Sequence, residues 1–221
     1  MDVVYVFREG VKNSIALRYS MRSLINIPHD RVFLVGDKPR WAQNIVHLPV
    51  KDKFGTKYYR LKAINTWTKI NGVCESDVSD DFILFNDDYF VLKKIDSIPY
   101  YYRGKVSMRR RTGYQKSVYW SAFRFKNPLH FGAHTPIVYN KDRFLKLFEL
   151  YRIQMGLDHK IVYCNHYNVS PIEKMADCKA RSIDQLKFNR TFLSTSDAVE
   201  QDPVFEKKMS TIFPEKSNYE L

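Results

Sequence analysis

Cysteine is scarce in this chain of 221 residues: Cys74, Cys164 and Cys178 are odd in number and widely spaced. They fit neither a disulfide framework nor a zinc site, and free thiols in a reducing compartment are the simple reading. No cysteine has a neighbour that suggests a thiol nucleophile. Long apolar runs are also missing, and none approaches the roughly 20 residues that a membrane-spanning helix needs. The opening Met-Asp-Val-Val-Tyr-Val has no basic region, no apolar stretch behind it and no small-residue cleavage site, so no secretory signal is expected. The expected address is the cytoplasm. The eight glycines spell no Walker A loop, no G-x-G-x-x-G and no G-x-S-x-G, which leaves P-loop, dinucleotide and serine-hydrolase chemistries without support. Internal repeats and low-complexity linkers are absent too.

Acidic side chains are the last shortage: 24 Asp and Glu stand against 36 Lys and Arg, a net charge of +12. The excess is local. Residues 101–150 hold eleven basic and two acidic side chains, and from Lys93 to Lys126 there are ten Lys or Arg and one acid, Asp96. Tyr100, Tyr101, Tyr102, Tyr114, Tyr119, Trp120 and Phe123 are interleaved with them. Cations that displace counterions from phosphates, with rings that stack on bases, suit a polyanion surface. Arg109, Arg110, Arg111, Tyr114, Lys116, Trp120 and Arg124 are the candidate nucleic-acid-binding residues. The alternative is a solvated basic surface whose aromatics belong to the core.

With 44% apolar and 27% charged residues the chain is long enough to bury a core without a metal or disulfide staple. Strand signals fall at Asp2–Phe7, Arg31–Val35, Ile45–Leu48, Phe82–Phe85 and Tyr89–Leu92. Helical spacing appears between them. Ile15, Tyr19, Arg22 and Ile25 share a face behind a cap at Asn13 or Ser14, and Leu61, Ile64, Trp67 and Ile70 share another. A third helix follows Asn140, carries Phe144, Leu147, Phe148 and Tyr151, and is stopped by Gly156. Strand–helix alternation through the first ninety residues predicts an α/β fold with a mainly parallel central sheet flanked by helices. A more irregular C-terminal half follows. We expect a single domain: 1–98 as a donor half, 99–200 as an acceptor half and 201–221 as a tail, either helical and packed or mobile.

The sharpest chemical signal is Phe85-Asn86-Asp87-Asp88. Ligands of open α/β sheets bind beyond the carboxyl ends of the strands. Two adjacent carboxylates placed there repel one another unless a cation relieves them. Hard oxygen ligands suit Mg²⁺ or Mn²⁺, with a diphosphate completing the shell, so Asp87 and Asp88 are the candidate metal ligands. The competing reading is a polar Asn-Asp-Asp turn, and Asp80-Asp81 before the strand reads that way.

These residues carry a family resemblance. Asp2–Gly10 (DVVYVFREG), Leu17–Leu24 (LRYSMRSL), Phe33–Trp41 (FLVGDKPRW) and Phe82–Asp88 (FILFNDD) resemble successive blocks of the Stealth family of sugar-phosphate transferases. His134-Thr135-Pro136 falls where that family has a His-containing block. The chain is shorter than the family's members, and Lys57–Leu61 replaces a Thr/Ser-rich stretch. The resemblance implies a GT-A-like glycosyltransferase fold, a nucleotide-sugar donor such as a UDP-sugar, and a divalent metal at Asp87 and Asp88.

Transfer from a nucleoside diphosphate builds negative charge on the departing group, which a metal and cationic side chains stabilise. Arg18 and Arg22 lie one turn apart and suit one anion. Asp37 follows the second strand, where ribose or base contacts fall. Asn86 and Arg190 complete the candidate donor residues. As catalytic groups, with Asp88, the candidates are His134, held on a loop before Thr-Pro, and Asp158, which suits a base or an ordinary helix cap. The expected function is metal-dependent sugar transfer to an acceptor hydroxyl, with DNA carrying hydroxylated bases as the acceptor. Two rivals remain: a Stealth-type hexose-1-phosphate transferase, and a non-catalytic nucleic-acid-binding module with a degenerate transferase fold.

Overall fold

The computed structural model describes residues 1–8, 14–55, 57–107, 114–151 and 156–221. Its central sheet runs β3-β2-β1-β4-β7, built from β1 (Asp2–Phe7), β2 (Val32–Gly36), β3 (Val46–Leu48), β4 (Asp81–Asn86) and β7 (Ile137–Asn140). The first four are parallel, and β7 closes the edge antiparallel to β4. Both faces of the inner strands are covered, which explains their unbroken apolar runs. The two-residue period sorts them: Val4, Phe33, Phe82 and Leu84 enter one core, while Val3, Tyr5, Leu34, Ile83 and Phe85 enter the other.

The first core is roofed by α2 (Tyr59–Cys74), α4 (Lys141–Tyr151) and α5 (His159–His166). Trp67 is buried at its centre against Phe144, and its indole N–H donates to the Leu157 carbonyl at 2.9 Å. The second core lies under α1 (Ile15–Ser23) and a small sheet, β5-β10-β9, made of β5 (Tyr89–Val91), β10 (Phe192–Thr195) and β9 (Lys179–Ala180). The remaining pair, β6 (Tyr101–Tyr102) with β8 (Glu173–Lys174), lies between β5 and β9 in sequence. The helix α3 (Tyr114–Ala122) packs on α5.

One expectation needs correcting. Ile25 does not share the buried face of α1: it is 81% exposed, because the helix tightens into a 3₁₀ turn at Leu24. The run Tyr89–Leu92 supplies the strand expected of it: the chain reverses after Asp88 and β5 joins the small sheet. In the tail, after the short α6 (Asp197–Glu200), α7 (Pro203–Ile212) buries Phe205 and Met209.

The segment after α7 also answers the arginine question. Glu220 is buried against α1 and accepts two 2.8 Å bonds from Arg22, with Arg18 at 3.7 Å. The single anion that Arg18 and Arg22 reach is therefore the chain's own carboxylate, and neither lines the cleft described below. Removing one partner of a buried, doubly bonded pair leaves a buried charge uncompensated, which costs about 3–5 kcal/mol. Glu220→Ala is expected to lower the free energy of urea unfolding by that amount, and an unchanged midpoint would mean that the clamp contributes nothing.

Candidate functional site

The carboxyl ends of β1 and β4 open into a cleft of about 1540 Å³, walled by α2, α3, the start of α5 and the small sheet. Asn86, Asp87 and Asp88 stand on its floor, where β4 ends and the chain turns. Asp88 is nearly buried, and its Oδ2 accepts from Lys179 Nζ at 2.9 Å and from Ser194 Oγ at 2.8 Å. These bonds tie the end of β4 to the small sheet. Lys179 relieves Asp87 less. Burial, then the charges of Asp88 and Glu200, push its carboxyl well above the ordinary range.

Glu200, at the end of α6, is pushed up to about 7 by burial and by Asp88 and Asp197, although Thr195 donates to it at 2.8 Å. Asp197 lines the same wall. Four acids thus cluster at this end of the cleft, with Lys179 paired to Asp88. An all-oxygen set with surplus negative charge fits a hard divalent ion. Among the described residues no three side chains form a ready-made metal cage, so the Asp87–Asp88 pair would need ligand oxygens to complete a shell.

His134 lines the cleft from the loop before β7. Its backbone is left-handed, φ 53°, a conformation that costs a non-glycine residue about 1–2 kcal/mol. Its Nδ1 lies 2.6 Å from Asp177 Oδ1. Since a carboxylate only accepts, Nδ1–H is the donor, and Nε2 is the ring nitrogen left for a ligand. Asp177 also meets Arg181 at 3.1 Å and Arg103 at 3.5 Å. Burial opposes its charge, but the bond from His134 and the surrounding cations hold its carboxyl well below the usual range.

Asp158 lines the cleft too, with both oxygens engaged: Oδ1 caps α5 through the Ile161 N–H at 3.0 Å, and Oδ2 accepts from Tyr114 Oη at 2.9 Å. Beside it, Lys160 is buried against the Tyr89 ring and donates to the Thr135 carbonyl. Burial lowers its ammonium to about 8. Burial likewise lowers His159 to about 4, and its Nδ1 pairs with Tyr139 Oη at 2.6 Å.

Among the candidates named from sequence, Asn86, Asp87, Asp88, His134, Asp158 and Tyr114 line the cleft together. Asp37 does not: it is exposed beyond β2, and Asp52 lines that end of the cleft, held by buried Lys69 at 2.7 Å. Arg190 also lies outside the lining, beside Cys178. Tyr114 serves as wall and hydrogen-bond donor. Trp120 and Lys116 are exposed on α3, and Arg124 sits over the Tyr151 ring. Arg109, Arg110 and Arg111 lie outside the described residues. Tyr119 is buried, and Tyr100 and Tyr102 pack on the core, so much of the aromatic content of the basic block is structural.

Sequence reasoning missed Asp177, Lys179, Lys160, Asp197 and Glu200. A signal for the first two was present: in Asp177-Cys178-Lys179-Ala180-Arg181 the charges alternate with small residues, a two-residue period that puts all three on one face of an extended segment.

No protein-family model matches the chain, and no curated protein matches it in sequence. Solved structures do. The galactosyltransferase LgtC, in complex with donor and acceptor sugar analogues, superposes with a TM-score of 0.54 at 11% identity, over 99% of this chain and 97% of that one. The inositol-1-phosphate CTP transferase from T. maritima superposes with a TM-score of 0.53 at 12% identity, over 98% and 97%. At such identities the likeness is one of fold. The mixed α/β, mainly parallel architecture is GT-A-like, as expected.

Proposed function

We propose that the chain is a metal-dependent glycosyltransferase that moves a sugar from a nucleotide sugar, such as a UDP-sugar, to an acceptor hydroxyl. The observation that carries this reading is the Asp87–Asp88 pair at the carboxyl end of β4, with surplus negative charge, on the floor of a large cleft. The fold resembles that of the galactosyltransferase LgtC, solved with donor and acceptor sugar analogues. Asp87 and Asp88 would hold Mn²⁺ or Mg²⁺, which supplies positive charge to the departing diphosphate.

His134 is the acceptor base. Its Nε2 takes the proton of the acceptor hydroxyl as that oxygen bonds to the anomeric carbon. The bond from that carbon to the diphosphate oxygen breaks, and its electron pair leaves with the diphosphate. Asp177 steadies the imidazolium through Nδ1–H. Asp158 is better placed as a cap than as a base, with both oxygens occupied.

For the acceptor we favour a hydroxyl on a modified base of DNA, on the strength of the basic block whose Arg103, Lys105 and Tyr114 reach the cleft. An extruded base would be needed. Incubation with a panel of nucleotide sugars, Mn²⁺ and hydroxymethylated DNA should add hexose mass to the nucleosides. Donor turnover without nucleoside modification would remove this acceptor, and no turnover with any donor would remove the transferase reading. The Stealth-like Leu17–Leu24 block favours one alternative, transfer of hexose-1-phosphate, which would release a nucleoside monophosphate in place of the diphosphate.

A further inference from the structure

Asp177 ties three cleft-lining side chains from three different segments: His134 before β7, Arg103 after β6 and Arg181 after β9. The carboxylate is largely buried, 12% exposed, whereas Arg103 and Arg181 keep 37% and 59% of their side chains open. One negative charge thus anchors two guanidinium groups, leaving net positive charge and spare N–H donors at the cleft wall. The backbone under Arg103 is fixed on both sides, its N–H donating to the His130 carbonyl at 2.7 Å and the Gly104 carbonyl accepting from His130 N–H at 2.9 Å. Arg181 is fixed as well, with a guanidinium N–H on the Lys179 carbonyl at 3.3 Å. A pre-positioned pair of forked donors is the arrangement that binds phosphate oxygens with least entropic loss.

We infer that Arg103 and Arg181, keyed by Asp177, form a phosphate site for the acceptor, taking a phosphodiester group of the strand that carries the reacting hydroxyl. The inference rests on the reading of His134 as the acceptor base. The carboxylate that orients the base also places the two arginines, so the anion they hold belongs to the molecule whose hydroxyl His134 activates. The donor's diphosphate has its own place at the Asp87–Asp88 rim.

The test uses a fluorescein-labelled 12-nucleotide single-stranded DNA, without metal or donor, and reads anisotropy across a range of salt. Against wild type, the Arg103→Gln/Arg181→Gln double variant should bind about tenfold more weakly or worse, and its log–log salt slope should flatten by roughly 1.4, about 0.7 per lost phosphate contact. A control, Lys207→Gln/Lys208→Gln, removes two exposed charges from α7 and should leave affinity and slope as they are. Calorimetry with UDP and Mn²⁺ should give the same affinity in the double variant as in wild type. Unchanged DNA binding in the double variant overturns the site. Equal loss in the control overturns it in favour of unspecific attraction, and lost UDP affinity with DNA binding retained assigns the arginines to the donor. Because no turnover is involved, absence of sugar transfer would count against the proposed function and leave this measurement standing.

Discussion

Asp87→Asn is expected to lower kcat for sugar transfer at least a thousandfold while raising the melting temperature of the metal-free protein. The two effects have one cause. Asp87 lies beside Asp88 and Glu200, and desolvation and their charges outweigh the nearby Lys179, so its carboxyl holds a proton more tightly in the folded chain than in the unfolded one. A group raised in this way contributes stability below its ordinary pKa, near 3.8, and loses it as pH rises through the folded value. At neutral pH and above, the carboxylate is therefore a burden on the metal-free fold, and a neutral, isosteric amide relieves it. The same amide is a far poorer ligand for a hard cation, so the charge offered to the leaving diphosphate goes with it.

Asp88→Asn should also abolish transfer, but with lower stability, because Lys179 and Ser194 lose the carboxylate that joins β4 to the small sheet. Opposite stability changes with a shared loss of activity separate a ligand role from a folding role. Measurements of kcat and of melting in EDTA check the pair. Transfer by Asp87→Asn within tenfold of wild type would show that the carboxylate is not part of the reaction.

His134→Ala should reduce kcat by about 10²–10⁴, the usual contribution of a positioned general base, with the KM for the donor little changed. The left-handed backbone at His134 and its short bond to Asp177 fix the ring, and only Nε2 is left to face a hydroxyl. Asp158→Ala makes the useful contrast. Its carboxylate caps α5 and holds Tyr114, so its removal should cost about 1 kcal/mol or more of stability through the lost cap. Steady-state kinetics on both variants, with unfolding curves alongside, distinguish a base from a cap. A His134→Ala enzyme within threefold of wild type would remove the base assignment.

The parts of this account that were legible in the sequence are those governed by short-range pattern. Phe82–Phe85 had to be a strand covered on both sides, and the acids after it had to stand at a sheet edge; both are found so. The arginines of α1 were legible as a pair meant for one anion. Their partner was not, because Glu220 is about two hundred residues away and only tertiary packing brings it there. The same holds for Asp177: nothing near His134 in the chain announces it, and the pairing exists because the segment before β9 passes beside the loop before β7. Charge composition left one question open. The aromatics of the Lys93–Lys126 block could have served as a stacking surface or as core; Tyr119 is buried and Tyr114 is committed to Asp158, while Trp120 remains exposed. Burial depends on which face of α3 meets α5, which composition does not encode.

The central claim is that the carboxylate rim after β4 binds a divalent ion together with a nucleoside diphosphate. Calorimetric titration of UDP into the protein, with Mn²⁺ and with EDTA, in wild type and in Asp87→Asn, tests it most directly. Tight binding that needs both Mn²⁺ and the Asp87 carboxylate is the predicted result. Equal UDP affinity in EDTA, or in the Asp87→Asn protein with Mn²⁺ present, would contradict it.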